Sequence, residues 1–350
     1  MKYVHIMPNS TFTNPFIDLI NSKFENNDHL FLWYGNSEIS TIKNVQNTMK
    51  MQKKPSEVLK IIITMNKAEK IYLHGLFSII IFMFLFLQPW VLKKCYWVIW
   101  GGDLYYHTTR NKSARSNVYE YLRRSVIKKM AGFITHIKGD YELAKKWYGV
   151  KGRYYYSFMY PSNVYKDYCL ETAEKTTSKK YIQVGNSADP SNNHIEVLNK
   201  IERYKDMNIE VICPLSYGDK ENAQQIINHG SKILGDKFVP IIEFMPFDKY
   251  LNILAKIDIA IFNHKRQQAM GNITTLLGLG KKVYIRKDIT TWEFCIDHDL
   301  KVYSSNSDFE DLFEEMDEGI RRKNVENMKM KFSEEKLVED WKRIFNEGDI

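Results

Sequence analysis

The chain has 350 residues, 44% of them hydrophobic and 26% charged, with a formal net charge of +8. That is a globular composition and a length suited to two domains, and it excludes disordered, collagen-like and repeat classes. Four cysteines (Cys95, Cys169, Cys213, Cys295) without a CxxC pair exclude a disulfide scaffold, argue against structural zinc and fit a reducing compartment.

Residues 2–7 alternate and read as a first strand, followed by none of the apolar core or cleavage site of a secretory leader. Residues 12–24 read as a helix with Phe16, Leu19, Ile20 and Phe24 on one face. Strand 29–34 ends at Gly35-Asn36; helix 56–68 precedes strand 70–75, and strand 95–100 ends at Gly101-Gly102-Asp103. Residues 113–131 read as a helix. The polar stretch 162–180 reads as a linker. A second alternation follows: strands 181–185, 208–213, 238–242, 258–262 and 282–285, with helices 192–204, 219–230, 247–256 and 271–279 between them. A terminal helix, about 333–346, carries Leu337, Trp341 and Phe345 on one face. Strands alternating with helices predict α/β architecture: two Rossmann-like doubly wound domains, 1–165 and 166–350, facing across a cleft, with the last helix able to cross back.

Charge divides with the domains. Residues 1–165 hold 23 basic and 10 acidic side chains, residues 166–350 hold 27 and 32. The basic half suits nucleic acid, an anionic membrane or a pyrophosphate-bearing substrate, or is simply a solvated basic surface. No nucleic-acid reading module is recognisable, so nucleic acid is not expected as a partner. The run Leu76–Leu87 has no charge and is too short to span a bilayer. It reads either as a helix buried between the sheet and its neighbours or as an apolar surface dipped into lipid. The next long helix carries Arg115, Arg123, Arg124 and Lys128 among its cations, and these are the candidate acceptor or membrane contacts.

Three polar segments follow strands in the second half. Val184 to His194 places Gly185, Asn186 and Ser187 at a strand end, with Ser191 or Asn192 able to cap the next helix, as a phosphate cradle needs. Pro214 to Gly218 offers Tyr217 for stacking and Gly218 for clearance. Asn263 to Thr275 offers Arg266 to a diphosphate, Gln267 and Gln268 to a sugar or base, and a helix start at Gly271, Asn272 and Thr274. In the first half His74, Asp103 and Asp140 sit at strand ends, where an ionisable group can act as a general base or merely cap a helix. No GxGxxG, P-loop, HExxH or GxSxG occurs, and Asp297-His298-Asp299 lies too late to be a metal–nucleotide motif.

Trp100-Gly101-Gly102-Asp103-Leu104-Tyr105, Lys138-Gly139-Asp140, the Val184–His194 block, Pro214 to Gly218, Phe247-Asp248-Lys249-Tyr250-Leu251 and Arg266-Gln267-Gln268 together resemble glycosyltransferase family 56. The resemblance implies a GT-B fold, a TDP-linked 4-acetamido-4,6-dideoxy sugar as donor and an undecaprenyl-pyrophosphate-linked saccharide as acceptor. It implies enterobacterial common antigen or O-antigen assembly at the cytoplasmic face of the inner membrane, with peripheral attachment and no metal or other cofactor. On that reading Gly185, Asn186, Ser187, Tyr217, Gly218, Arg266, Gln267, Gln268, Gly271, Asn272 and Thr274 bind the donor. Asp103, or failing it His74, is the base. The alternatives are a UDP-sugar transferase of the same architecture and a non-catalytic nucleotide-binding scaffold at the membrane.

Overall fold

The computed structural model describes residues 2–35, 42–43, 45–52, 54–166 and 178–347. It forms two compact units. One runs to Val164 and takes in the chain from Glu334 onward; the other is Tyr165–Ser333. The boundary falls inside the expected linker, of which residues 167–177 lie outside the described residues.

In the first unit the chain runs β1 (Tyr3–Pro8), α1 (Thr13–Lys23), β2 (His29–Tyr34), β3 (Thr48–Lys50), α2 (Pro55–Lys67), β4 (Lys70–His74), α3 (Ile79–Leu87), β5 (Cys95–Val98), α4 (Gly102–Thr109), α5 (Ala114–Ile127), β6 (Gly132–Ile134), α6 (Lys138–Tyr148) and β7 (Arg153–Tyr155). All seven strands are parallel, in the order β3-β2-β1-β4-β5-β6-β7. Helices cover a parallel sheet on both faces, so its central strands are buried; β4 and β5 are buried at every position. Short strands β3, β6 and β7 and helix α4 extend the expected set.

The second unit runs β8 (Lys180–Val184), α7 (His194–Ile201), β9 (Ile209–Pro214), α8 (Lys220–Leu234), β10 (Phe238–Ile241), α9 (Phe247–Lys256), β11 (Ile259–Phe262), α10 (Met270–Gly278), β12 (Lys282–Ile285), α11 (Thr290–Asp297), β13 (Tyr303–Ser304) and α12 (Glu318–Lys331). Its six strands are also parallel, in the order β10-β9-β8-β11-β12-β13. The helix expected over 192–204 is broken at its start. Pro190–Asn192 forms a 3-10 turn, Asn193 is left-handed (φ 56°), and α7 begins only at His194.

The last helix, α13 (Glu334–Asn346), corrects the assignment of 166–350 to one domain, because it belongs to the first unit. Its stripe Leu337, Trp341, Ile344 and Phe345 is buried against an aromatic sheet face. Phe345 stacks on Tyr3 at 5.0 Å and Trp341 meets Phe16 edge-on at 5.1 Å. Lys70 Nζ donates to the carbonyls of Phe345 (2.6 Å) and Ile344 (3.2 Å), a cation on the negative end of the helix.

Candidate donor site at the switch point of the second sheet

In the second sheet β8 and β11 are neighbours, and the chain moves away from them in opposite directions. Their carboxyl ends therefore open a crevice in which such sheets bind ligands. Two of the three polar segments singled out in the sequence leave from these two ends.

After β8, Gly185 has φ 68°, and a Cβ there would run into the His194 ring and Asn192 Oδ1. Only glycine fits so close a left-handed turn. The Asn186 amide donates to Asn192 Oδ1 (2.9 Å), which also accepts from His264 Nε2 (3.0 Å). Asn192 is thus a strut between the loops after β8 and β11, where a helix-capping role was one expectation. The other candidate cap, Ser191, is itself capped: Asp189 Oδ1 accepts from its amide (2.8 Å) and its hydroxyl (2.5 Å).

The loop after β11 is bound to this turn at several points. The Lys265 amide donates to the Ser191 carbonyl (2.8 Å), the Ser191 hydroxyl lies 2.7 Å from Gln268 Oε1, and Arg266 Nη2 pairs with Asp189 Oδ2 at 3.0 Å. Burial pushes the Asp189 carboxyl up, but the two Ser191 bonds and Arg266 outweigh it and hold it below its ordinary value. Burial also keeps His264 neutral, lowered to about 3 with His194 and Arg266 adding to the effect. Arg266 is therefore a cation of this cluster, paired with the Asp189 carboxylate, and Lys265 adjoins it in the same loop. Gln267 is buried, and its Oε1 has no hydrogen-bond partner among the described residues.

The third loop joins the same cluster. Ala188 and Gly218 form an isolated parallel bridge, with the Ala188 amide donating to the Tyr217 carbonyl (2.7 Å). Gly218 has φ 112°, and a Cβ there would meet the Asp189 amide nitrogen at 2.7 Å. Asn186 Nδ2 donates to the Tyr217 hydroxyl (2.7 Å), while 51% of Tyr217 stays exposed as a flat surface for stacking. Gln268 Nε2 reaches Asn186 Oδ1 at 3.4 Å.

Gly271 and Asn272 lie in the first turn of α10, which follows left-handed Ala269 (φ 62°) and has no side-chain cap or acidic group at its start. Its first amides are a positive end suited to an anion. Asn272 Oδ1 accepts from Tyr250 (2.6 Å), whose hydroxyl in turn accepts from Gln183 Nε2 (3.3 Å). Thr274 departs from expectation: it is buried, and its hydroxyl donates back to the carbonyls of Met270 (2.8 Å) and Gly271 (3.3 Å), so it faces its own helix. Gln183, Asp189, Tyr250 and His264 were not singled out individually. Their signal was weak: Gln183 is a polar residue inside an apolar strand, and Asp189 sits one residue before a proline.

In the first unit both candidate bases are buried and hydrogen-bonded within the protein. Asp103 is 1% exposed, and its two oxygens accept from the Leu76 amide (2.9 Å), Trp97 Nε1 (2.6 Å), and the Trp100 and Leu104 amides (both 3.0 Å). Burial raises its carboxyl against these bonds. It ties the β5–α4 turn to the turn after β4 through these four donors. Asp140 is equally buried and accepts from the Tyr105 hydroxyl (3.1 Å). His74 is fully buried in a chain of hydrogen bonds. The Trp100 indole can only donate, and it donates to the Tyr160 hydroxyl (2.7 Å). Tyr160 is bonded in turn to His74 Nδ1 (2.7 Å), His74 Nε2 to His5 Nδ1 (3.1 Å), and His5 Nε2 to His29 Nδ1 (3.0 Å). Burial lowers His74 to about 3.

Of the four cations assigned to acceptor or membrane, Arg123 does not qualify. It is 1% exposed, donates to the carbonyls of Leu76 (2.9 Å) and Asp103 (2.5 Å) and to Tyr148 (3.1 Å), and lies over the rings of Phe82 and Tyr106. Arg124 is half-exposed and donates to the Trp147 carbonyl (2.5 Å). Arg115 and Lys128 are exposed.

The profile of a family described as 4-alpha-L-fucosyltransferase, glycosyl transferase group 56, matches residues 7–349. Solved structures share the two-domain fold at low identity. They include a sucrose-phosphate synthase from Thermosynechococcus elongatus (TM-score 0.71, 8% identity, 99% of this chain and 98% of that one covered). WaaG, a glycosyltransferase involved in lipopolysaccharide biosynthesis, is similar at TM-score 0.67 and 12% identity (99% and 100% covered). HepE from Anabaena, in complex with UDP, is similar at TM-score 0.71 and 10% identity (98% and 99% covered).

Proposed function

We propose a donor, an acceptor and a place of work for a chain that belongs to glycosyl transferase group 56, the 4-alpha-L-fucosyltransferases, and is accordingly a hexosyltransferase of GT-B fold. The donor is a TDP-linked 4-acetamido-4,6-dideoxyhexose. The acceptor is a saccharide on undecaprenyl pyrophosphate, of the common-antigen or O-antigen kind, met by a peripheral protein at the cytoplasmic face of the inner membrane. The basic excess of residues 1–165 supports an acceptor that carries a pyrophosphate.

The observation that carries the donor half is the convergence of the loops after β8, β9 and β11 through Arg266–Asp189, Ser191–Gln268 and Asn186–Tyr217. Breaking the bond between the anomeric carbon and the diphosphate leaves negative charge on the departing oxygen. Arg266 and the opening amides of α10 meet that charge with fixed positive ends, which favours the transition state over the bound donor. Gln267 and Gln268 offer paired donors and acceptors to sugar hydroxyls and the acetamido group. Tyr217 provides the stacking face for the base.

Transfer of radiolabelled sugar from a TDP donor to a lipid-linked acceptor tests the reading. Wild type forms product and Arg266→Ala loses about 10²–10³ in turnover; near-normal turnover in Arg266→Ala removes the assignment. Lack of product with any donor would leave the scaffold alternative. UDP bound to the similar HepE favours the second reading, a UDP-sugar donor; greater thermal stabilisation by UDP than by TDP would establish it.

A further inference from the structure

The first unit carries a continuous apolar face that its own core does not cover. Helix α3 is apolar all round, yet only Ile81, Phe82 and Leu85 are buried. The other face, Ile79, Ile80, Met83, Phe86 and Leu87, follows helical spacing and is 39–69% exposed. Trp90, just after it, is 61% exposed, and on α5 Val118 and Tyr121 are 61% and 64% exposed. These residues belong to one surface. Phe86 lies 6.5 Å from Tyr121, Phe82 lies 5.5 Å from Tyr119, and the Tyr119 hydroxyl donates to the Phe77 carbonyl (2.9 Å). Helix α2 joins it through Asn66, which accepts from the Trp90 indole (2.8 Å) and donates to Gln88 (2.8 Å), and it adds exposed Leu59 and Ile63. Among the described residues, eleven of the nineteen exposed large hydrophobic side chains thus lie between residues 59 and 121, too many for chance scatter on a solvated surface.

The charge around this face selects its partner. Residues 54–131 hold thirteen basic side chains and four acidic ones. Two of the acids, Asp103 and Glu120, are buried, while Lys60, Lys67, Lys93, Arg115, Lys128 and Lys129 are exposed. Apolar helix faces with an aromatic residue at the edge and cations around them match the boundary of an anionic bilayer. Among the described residues no helix is long and apolar enough to cross a membrane, and α3, at about 13 Å, is far shorter than a hydrocarbon core.

We propose that the exposed face of α2, α3, Trp90 and α5 docks into an anionic phospholipid surface, with Met83, Phe86, Leu87 and Trp90 reaching the acyl boundary and the surrounding cations paired with headgroups. This resolves the two readings of the 76–87 run: one side of α3 is core and the other is the lipid-seeking side. The proposal rests on the peripheral location proposed above and specifies its surface.

Vesicle flotation tests it on the full-length protein. Wild type floats with phosphatidylethanolamine–phosphatidylglycerol vesicles at low salt, poorly at high salt, and poorly with phosphatidylcholine alone. The double substitution Met83→Asp, Leu87→Asp lowers recovery by about tenfold or more, with an unchanged unfolding transition. Arg115→Glu with Lys128→Glu lowers recovery and removes its salt dependence. Equal flotation of wild type and the Met83/Leu87 variant overturns the assigned face while the peripheral location stands. A wild type that floats with neither vesicle overturns both. A wild-type dimer that the Met83/Leu87 variant dissociates shows that a second copy covers the face, and overturns the proposal. Sugar transfer to a detergent-dispersed acceptor is unaffected in that variant, which keeps the transferase reading separate.

Discussion

Acidification should destabilise the first unit by an amount set by a few buried groups. Burial lowers His5 well below its ordinary value, with His29 and His74 adding to the effect, and takes His29 to about 4 and His74 to about 3. All three are neutral in the fold. An unfolded chain binds protons at these imidazoles below about pH 6.5, so stability is full above that value and lost as pH falls toward the folded values. Each group then contributes up to about 1.4 kcal/mol per pH unit, or about 4 kcal/mol for the three between pH 7 and 5.5. Asp340 works the other way. Burial raises it to about 7, against Arg343 and Lys336, so the folded protein takes up its proton first and regains about 2 kcal/mol over the same range. The raised Asp103 adds in the same direction. The net loss is at most about 2 kcal/mol, and Asp340→Asn, which removes the opposing group, should steepen it to nearly twice that. Six of the seven tryptophans lie in the first unit, so urea unfolding followed by tryptophan emission reports on it selectively. A midpoint that rises on going from pH 7 to 5.5, or an Asp340→Asn variant less sensitive to acid than wild type, would refute the neutral state of the buried histidines.

Gly185→Ala should weaken TDP binding at least about tenfold, because the added methyl strains a left-handed turn and displaces His194 and Asn192; isothermal titration reads it. Asp103→Ala should lower the unfolding midpoint, at a cost of about 3 kcal/mol, by leaving the Trp97 indole and three amides without an acceptor. Full stability with loss of turnover would instead return Asp103 to a catalytic role. Thr274→Val should leave TDP affinity within about twofold of wild type, since its hydroxyl serves only its own helix.

The strand–helix alternation was legible because each parallel strand is a short apolar run closed by a polar turn. Strand His29–Tyr34, helix Phe247–Lys256 and strand Lys282–Ile285 match to the residue. Strands β3, β6, β7 and β13 are two or three residues long, below what a period of two can signal. Helix α12 is charged along most of its length, so no apolar stripe announced it. The donor loops were legible as polar segments at strand ends. Their bonding was not, because Asp189 and Arg266 meet only once the sheet sets β8 beside β11. The burial of Asp103 and Arg123 was not legible for a related reason. A carboxylate at a strand end looks the same in sequence whether it faces a substrate or four donors. Arg123 lies on the Ser116–Glu120–Ile127 side of α5, which the basic character of that helix concealed. The apolar stripe of the last helix left it able to cross back, and the aromatic sheet face it covers assigns it to the first unit.

Calorimetric titration of TDP into wild type, Asn186→Ala and Arg266→Ala tests the central claim most directly. Loops from three strand ends gripping one leaving group predict saturable binding by wild type and a loss of about tenfold or more in each variant. Wild-type affinity in both variants would contradict the account.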